Sequence, residues 1–284
     1  MKVATKKRIR IVTDSSSDIR DLDGIEFASA PLKIITSLKQ YVDDPQLDAA
    51  QMAIELSEYK GKSSTSCPNS ADWLTAFGDA ELIICLTITA TLSGSYNSAM
   101  LAKREYEEAH PDRRVYVMNS LSTGPEMMLI AEKARELAIG DLEFEQICSE
   151  LETYSSGTGL IFVLESIKNL ANNGRVSPII AKMTGILGIR LIGKASDVGD
   201  LEQLSKCRGE KKTIEATVEH LIELGYAGGK LRIAHCLNEN AASTLASLLK
   251  NRFPSADISV YKCGGLCSFY AEKGGMLIGF EKRK

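Results

Sequence analysis

Four clusters rich in hydroxyl side chains punctuate the first half of the chain. They are Thr13-Asp14-Ser15-Ser16-Ser17-Asp18, Ser63-Ser64-Thr65-Ser66, Thr89-Ala90-Thr91-Leu92-Ser93-Gly94-Ser95 and Asn119-Ser120-Leu121-Ser122-Thr123-Gly124. Neutral hydroxyls donate hydrogen bonds to anionic oxygens without bringing charge of their own. Ser93-Gly94 also opens a stretch with helical character. Free amide groups at a helix start, beside hydroxyl donors, suit a phosphate or a carboxylate. Any one cluster would serve as a plain cap or turn. Four of them at the ends or edges of strands point to a shared anion site, because ligands of open α/β sheets bind beyond the carboxyl ends of the strands.

Other chemistries fit less well. A phosphate-binding P-loop ends in Gly-Lys-Ser, and Gly61-Lys62-Ser63 supplies that tail, but position 56 is Leu where the motif needs Gly. A nucleophile elbow around Ser93 needs Gly at 91 and 95, where the chain has Thr91 and Ser95. None of the three histidines (110, 220, 235) falls in a loop that would partner a serine. Asp14 and Asp18 are placed as caps after a strand. Cys263 and Cys267 are four apart with no second ligand pair, so no metal site is expected.

Strands and helices must position these groups. Arg8 to Thr13, Glu81 to Ile88 and Arg114 to Met118 read as strands, and each leads into a hydroxyl cluster. Ile25 to Ile35 is one apolar stretch, and Gly61 to Ser66 reads as a polar loop able to fold over the same sheet edge. Helices are predicted over 48–59, 70–77, 94–110, 126–139 and 144–154. Strands separated by helices imply crossovers and a largely parallel sheet covered on both faces. In the second half, strands are predicted at 159–164, 189–192, 230–237, 257–261 and 276–280, with helices at 210–224 and 238–253. The polar Ser155-Ser156-Gly157 marks a boundary between an N-terminal α/β domain, 1–156, and a C-terminal α/β domain, 157–284.

The chain has 284 residues, 44% hydrophobic and 25% charged, with a formal net charge of −3. This balance argues against a dedicated nucleic-acid binder. No apolar run approaches the ~20 residues of a membrane span, and the basic N-terminus lacks the apolar core of a secretory signal. Seven cysteines without such a signal do not suggest a disulfide framework. A soluble, cytoplasmic protein is expected. The segment Pro178 to Gly188 is apolar and conformationally loose; it reads either as core or as the wall of a pocket for a long apolar ligand.

The clusters, in this order, resemble the DegV family, the fatty-acid-binding proteins of bacterial fatty acid kinase. Ile11-Val-Thr-Asp-Ser-Ser-Ser-Asp18 is similar to the family's V-T-D-S-T-S-D start, and Ala30-Pro-Leu32 to its I-P-L strand. Thr65-Ser-Cys-Pro68 resembles T-S-Q-P, and Leu92-Ser-Gly-Ser-Tyr-Asn-Ser-Ala99 resembles L-S-G-T-Y-N-T-A. Asn119-Ser120 stands where the family has D-S. Asn173-Gly-Arg175 is similar to the L-x-x-G-G-R-I stretch, and Lys206-Cys-Arg-Gly209 to its K-x-R segment. The resemblance spans essentially the whole chain.

It implies a two-domain DegV-like α/β fold with a long-chain fatty acid held between the domains. The protein would need no cofactor or metal and have no catalysis of its own. It would present the acyl carboxylate to a separate kinase catalytic subunit, which brings ATP and makes an acyl phosphate. An alternative is a lipid carrier or sensor not coupled to a kinase. Thr65 and Ser93 match the family's carboxylate-binding hydroxyls, with Gly94 beside them. Asp14, Ser15, Arg175 and Arg208 would support that site or dock the partner. Gly264 to Gly274 aligns with a family segment like G-P-V-I-G-x-H-x-G-P-G, and Tyr270 occupies its His position. A phenol donates a hydrogen bond but carries no positive charge.

Overall fold

The computed structural model describes residues 8–176 and 188–283. Its first sheet is wholly parallel, in the order β2-β1-β6-β7, from β1 Ile9–Asp14, β2 Glu26–Ala30, β6 Leu82–Thr87 and β7 Arg114–Asn119. Helices cover both faces, so the strands read as continuous apolar runs. On β6, Ile84 and Leu86 face one core, and Ile83 and Cys85 face another built on Trp73 and Phe77. The covering helices are α2 Ser70–Phe77, α3 Ser95–Ala109, α4 Gly124–Ile139 and α5 Phe144–Ser156, whereas α1 Ala49–Glu58 packs its Met52 with Ile34, Tyr41 and Phe269 instead.

Beside this sheet stands a small antiparallel one, β4-β3-β5, of β3 Lys33–Thr36, β4 Gln40–Val42 and β5 Ser63–Ser66. The apolar stretch 25–35 holds two strands, β2 and β3, broken at Pro31, which lacks the amide a continuous ladder needs. One expectation is corrected here. The polar segment 61–66 is not a loop over its last four residues; Ser63–Ser66 pairs with β3, Thr65 opposite Ile34.

The remaining strands form a six-stranded mixed sheet, β10-β9-β8-β13-β11-β12. They are β8 Thr158–Leu164, β9 Ile189–Ala195, β10 Leu201–Arg208, β11 Tyr226–His235, β12 Asp257–Lys262 and β13 Met276–Lys282. The strand β10 was absent from the expected elements, and β9 runs three residues further than its apolar core suggests. Short helix α6 Lys168–Asn172 follows β8, while α7 Glu210–Glu223 and α8 Glu239–Arg252 cover one face. On β8, Ile161 and Val163 point into that covered core, whereas Leu160, Phe162 and Leu164 point to the opposite face.

Helix α4 joins the two large sheets. Its Glu132 accepts two bonds from Arg232 on β11, at 2.7 and 2.8 Å. Its first turn lies against Gly279 on β13, where a β-carbon would fall 2.4 Å from backbone atoms of Pro125 and Glu126. Only glycine permits that approach. The last helix, α9 Gly265–Ala271, makes a second junction. Gly265 and Leu266 donate their backbone N–H groups to the Asp43 carboxylate at 2.8 and 2.9 Å, and Gly264 donates to Asp18 Oδ1 at 2.9 Å.

Candidate functional site

The strand-end hydroxyls converge as expected, but they play two different parts. The cluster after β1 is structural. Asp14 is fully buried and ties three elements: Oδ1 accepts from Ser16 N–H and Oγ–H, and Oδ2 accepts from Ile88 N–H at 2.9 Å and from Ser95 Oγ–H. Burial, opposed by these bonds, raises its pKa above the ordinary carboxylate value. Ser15 Oγ accepts from Leu32 N–H at 3.0 Å. Neither side chain is in the wall of the cavity that their partners Ile88 and Leu32 line. The Ser16 carbonyl takes bonds from the Thr123 hydroxyl at 3.4 Å and the Cys267 thiol at 3.3 Å, fixing two more wall residues.

That wall encloses a cavity of about 330 Å³ between the two large sheets. Most of it is aliphatic. Leu160, Phe162 and Leu164 of β8, Leu277 of β13 and Leu201 of β10 supply the second-half side; Leu32, Ile88 and Leu92 supply the first-half side. Helix α9 closes it with Leu266, Cys267, Tyr270 and Ala271.

The polar groups of the cavity are few. Thr65 on β5 and Tyr270 on α9 share a hydrogen bond of 2.8 Å across the two halves. Ser93 and Gly94 stand at the start of α3, whose N-cap Gly94 supplies no side chain to its own first turn. The Ser93 hydroxyl accepts from Ser95 N–H at 3.3 Å, which leaves its proton to point elsewhere. Arg175 also lines the cavity, and its Nε donates to the Leu92 carbonyl at 3.2 Å. Burial raises the Tyr270 pKa, with the Thr65 bond and the nearby Arg175 charge acting against the rise. The phenol therefore stays protonated and able to donate at neutral pH.

The arrangement offers a largely apolar cavity whose wall carries hydroxyl, amide and guanidinium donors. It can hold a chain molecule with an acidic head. Among the described residues, no group of three His, Cys, Asp or Glu side chains stands together to hold a metal ion. No described helix is long and apolar enough to cross a membrane.

Thr65, Ser93, Gly94, Tyr270 and Arg175 are thus brought together. Arg175 was expected behind the site or at a docking face; it stands in the wall itself, beside Leu92. Asp14 and Ser15 lie behind the wall. Arg208 is exposed at the end of β10 and is not part of the cavity. The segment 178–188, read as core or as the wall of a pocket, lies outside the described residues except for Gly188. Sequence reasoning missed the contribution of α9 beyond Tyr270, and the apolar walls on β8, β10 and β13. The alternation of Leu160, Phe162 and Leu164 was the available signal, since strand residues two apart share a face.

Comparisons with known proteins agree with this geometry. A family model described as "Uncharacterised protein, DegV family" matches residues 8–283. A DegV domain-containing protein of Streptococcus pneumoniae is 43% identical over 276 residues, covering 96% of this chain and 98% of that protein. Among solved structures, a DegV family protein from Eubacterium eligens loaded with heptadecanoic acid is 44% identical, with a TM-score of 0.94 over 97% of this chain and 100% of that one. The Streptococcus pneumoniae fatty acid kinase (Fak) B3 protein loaded with linoleic acid is 42% identical, with a TM-score of 0.94 over 97% of this chain and 100% of that one.

Proposed function

The chain belongs to the DegV family, and from that premise we propose that it binds a long-chain fatty acid in the cavity between its sheets. The carboxylate lies among Thr65, Ser93, Gly94, Tyr270 and Arg175, and the acyl chain runs along the leucine walls. The 1–156 and 157–284 halves act as two domains clasping the ligand. The protein works in the cytoplasm as a carrier without catalysis of its own. It presents the carboxylate to a separate kinase subunit, which transfers a phosphoryl group from ATP to form the acyl phosphate.

The observation that carries this reading is a mainly aliphatic cavity whose wall brings Thr65, Ser93, Gly94, Tyr270 and Arg175 together. The energetics favour it. Each methylene removed from water contributes about 0.8 kcal/mol, so ~16 carbons give a large driving force even after ordering costs. The acidic end is the costly part, because an unpaired buried charge is strongly unfavourable. Hydroxyl and amide donors offset that cost, and charge-assisted bonds are the stronger class. Arg175 supplies the positive charge that Tyr270 does not.

Two experiments test the reading. Mass spectrometry of small molecules extracted from the purified protein should show a long-chain fatty acid; a nucleotide or sugar in its place would end the proposal. Incubation with a fatty acid kinase catalytic subunit, ATP and Mg²⁺ should yield acyl phosphate. Bound fatty acid with no acyl phosphate from any such subunit would favour the second reading, an uncoupled carrier or sensor. That reading draws on Tyr270, which stands where the family's ionisable histidine is expected.

A further inference from the structure

Phe162 and Gly193 face each other directly on the antiparallel strands β8 and β9. Side chains at such a pair point to the same face of the sheet. Here that face is the cavity wall, since Phe162, Leu160 and Leu164 all line it. Gly193 has no side chain, and the Phe162 ring lies in the space one would take. A β-carbon at 193 would fall 2.2 Å from Phe162 Cζ and 2.5 Å from Cε2. On its other side Phe162 is paired with Leu277 of β13, itself a wall residue. The ring therefore lies over bare backbone of β9, and the volume it vacates belongs to the cavity.

We propose that the Phe162–Gly193 pair sets how large an acyl chain this cavity accepts. This rests on the fatty-acid reading and adds a specificity element to it. With a side chain at 193 the ring must stand up into the cavity, leaving room only for a shorter or straighter chain. With a smaller group at 162, Gly193 becomes open floor and the cavity gains room. The substrate class selected is a long, bulky acyl chain in preference to a short one.

The test compares the parent protein with Gly193→Ala and Phe162→Leu. Each is titrated with a series of saturated fatty acids of increasing length, and its co-purified lipid is identified by mass spectrometry. Gly193→Ala should move the preferred chain shorter by about two carbons or more, because overfilling a packed site displaces its neighbours. Phe162→Leu should move the preference longer. A β-carbon at 193 also meets the Glu202 carbonyl oxygen at 2.5 Å, so Gly193→Ala carries a risk to folding. If it fails to fold, Phe162→Leu decides alone. A parent that binds fatty acids beside a Phe162→Leu variant of unchanged length preference overturns the proposal and leaves the binding function standing. A parent that binds no fatty acid of any length overturns both.

Discussion

Thr65 Oγ1 and Tyr270 OH lie 2.8 Å apart, although 205 positions separate them in the chain. The bond joins an edge sheet of the first half to the last helix, beside the proposed carboxylate. Each hydroxyl has one proton, so one must donate to the other while the second remains available to an anion. Thr65→Ala and Tyr270→Phe should each weaken fatty-acid binding by about 1–3 kcal/mol, the cost of removing one donor to a buried charged group. Calorimetric titration measures this, and unchanged affinity in both variants would contradict the head-group assignment. Tyr270→His should add a pH dependence that the parent lacks. Binding should tighten as pH falls through the imidazole range near 6.5, where the ring gains its charge.

The legibility of this site in the sequence was uneven for physical reasons. Ser93 and Gly94 stood out because an apolar strand runs into them and a helix leaves them. Asp14 was recognisable as a cap, and it does cap the short turn Ser15–Ser17. Helix α9 was hidden, because six of its seven residues are buried and no polar face gives it a period. Strand β5 is all Ser and Thr, so no apolar alternation marks it. Arg175 sits only two residues beyond the α6–turn junction, and nothing in its local sequence shows that the turn points it back at Leu92.

Arg175 brings a permanent cation to the cavity and also holds the Leu92 carbonyl, next to Ser93. Arg175→Ala should therefore cost more affinity than Ser93→Ala. Hydrogen bonds to charged partners contribute about 1.5–3 kcal/mol, so a loss of roughly 10- to 100-fold is expected. Arg175→Lys should recover part of it, since lysine keeps the charge but not the planar fork that reaches two acceptors. Equal losses for alanine and lysine would show that geometry alone matters; no loss for either would remove Arg175 from the site.

Asp18 and Asp43 form a buried acidic pair beneath the first turn of α9. Burial, then the charge of Asp43, pushes the Asp18 pKa from 3.8 up to about 8, while the Cys267 thiol, the Gly264 amide and Arg20 pull it down. The folded protein thus keeps a proton that the unfolded chain releases near pH 4. Stability should fall as pH rises from about 4 to about 8, at up to ~1.4 kcal/mol per pH unit for this proton, and the slope should end above the folded value. Asp18→Asn keeps the acceptor for Gly264 and removes the titration. Urea unfolding at pH 5, 6, 7 and 8 should show a shallower decline in this variant. Parallel declines in the two proteins would mean that Asp18 is ionised in the folded state.

Arg208 offers the sharpest separation between binding and coupling. It is exposed at the end of β10, outside the cavity wall. An exposed cation at a docking surface acts mostly on encounter and salt dependence rather than on the ligand already enclosed. Arg208→Ala should leave fatty-acid affinity within a factor of about two, because surface changes away from a packed site rarely exceed ~0.5 kcal/mol. With a kinase subunit present, the same variant should slow acyl phosphate formation, and the slowing should shrink as salt is raised. A variant that loses fatty acid instead would draw Arg208 into the head-group site. One that changes neither property would place the docking face on another surface.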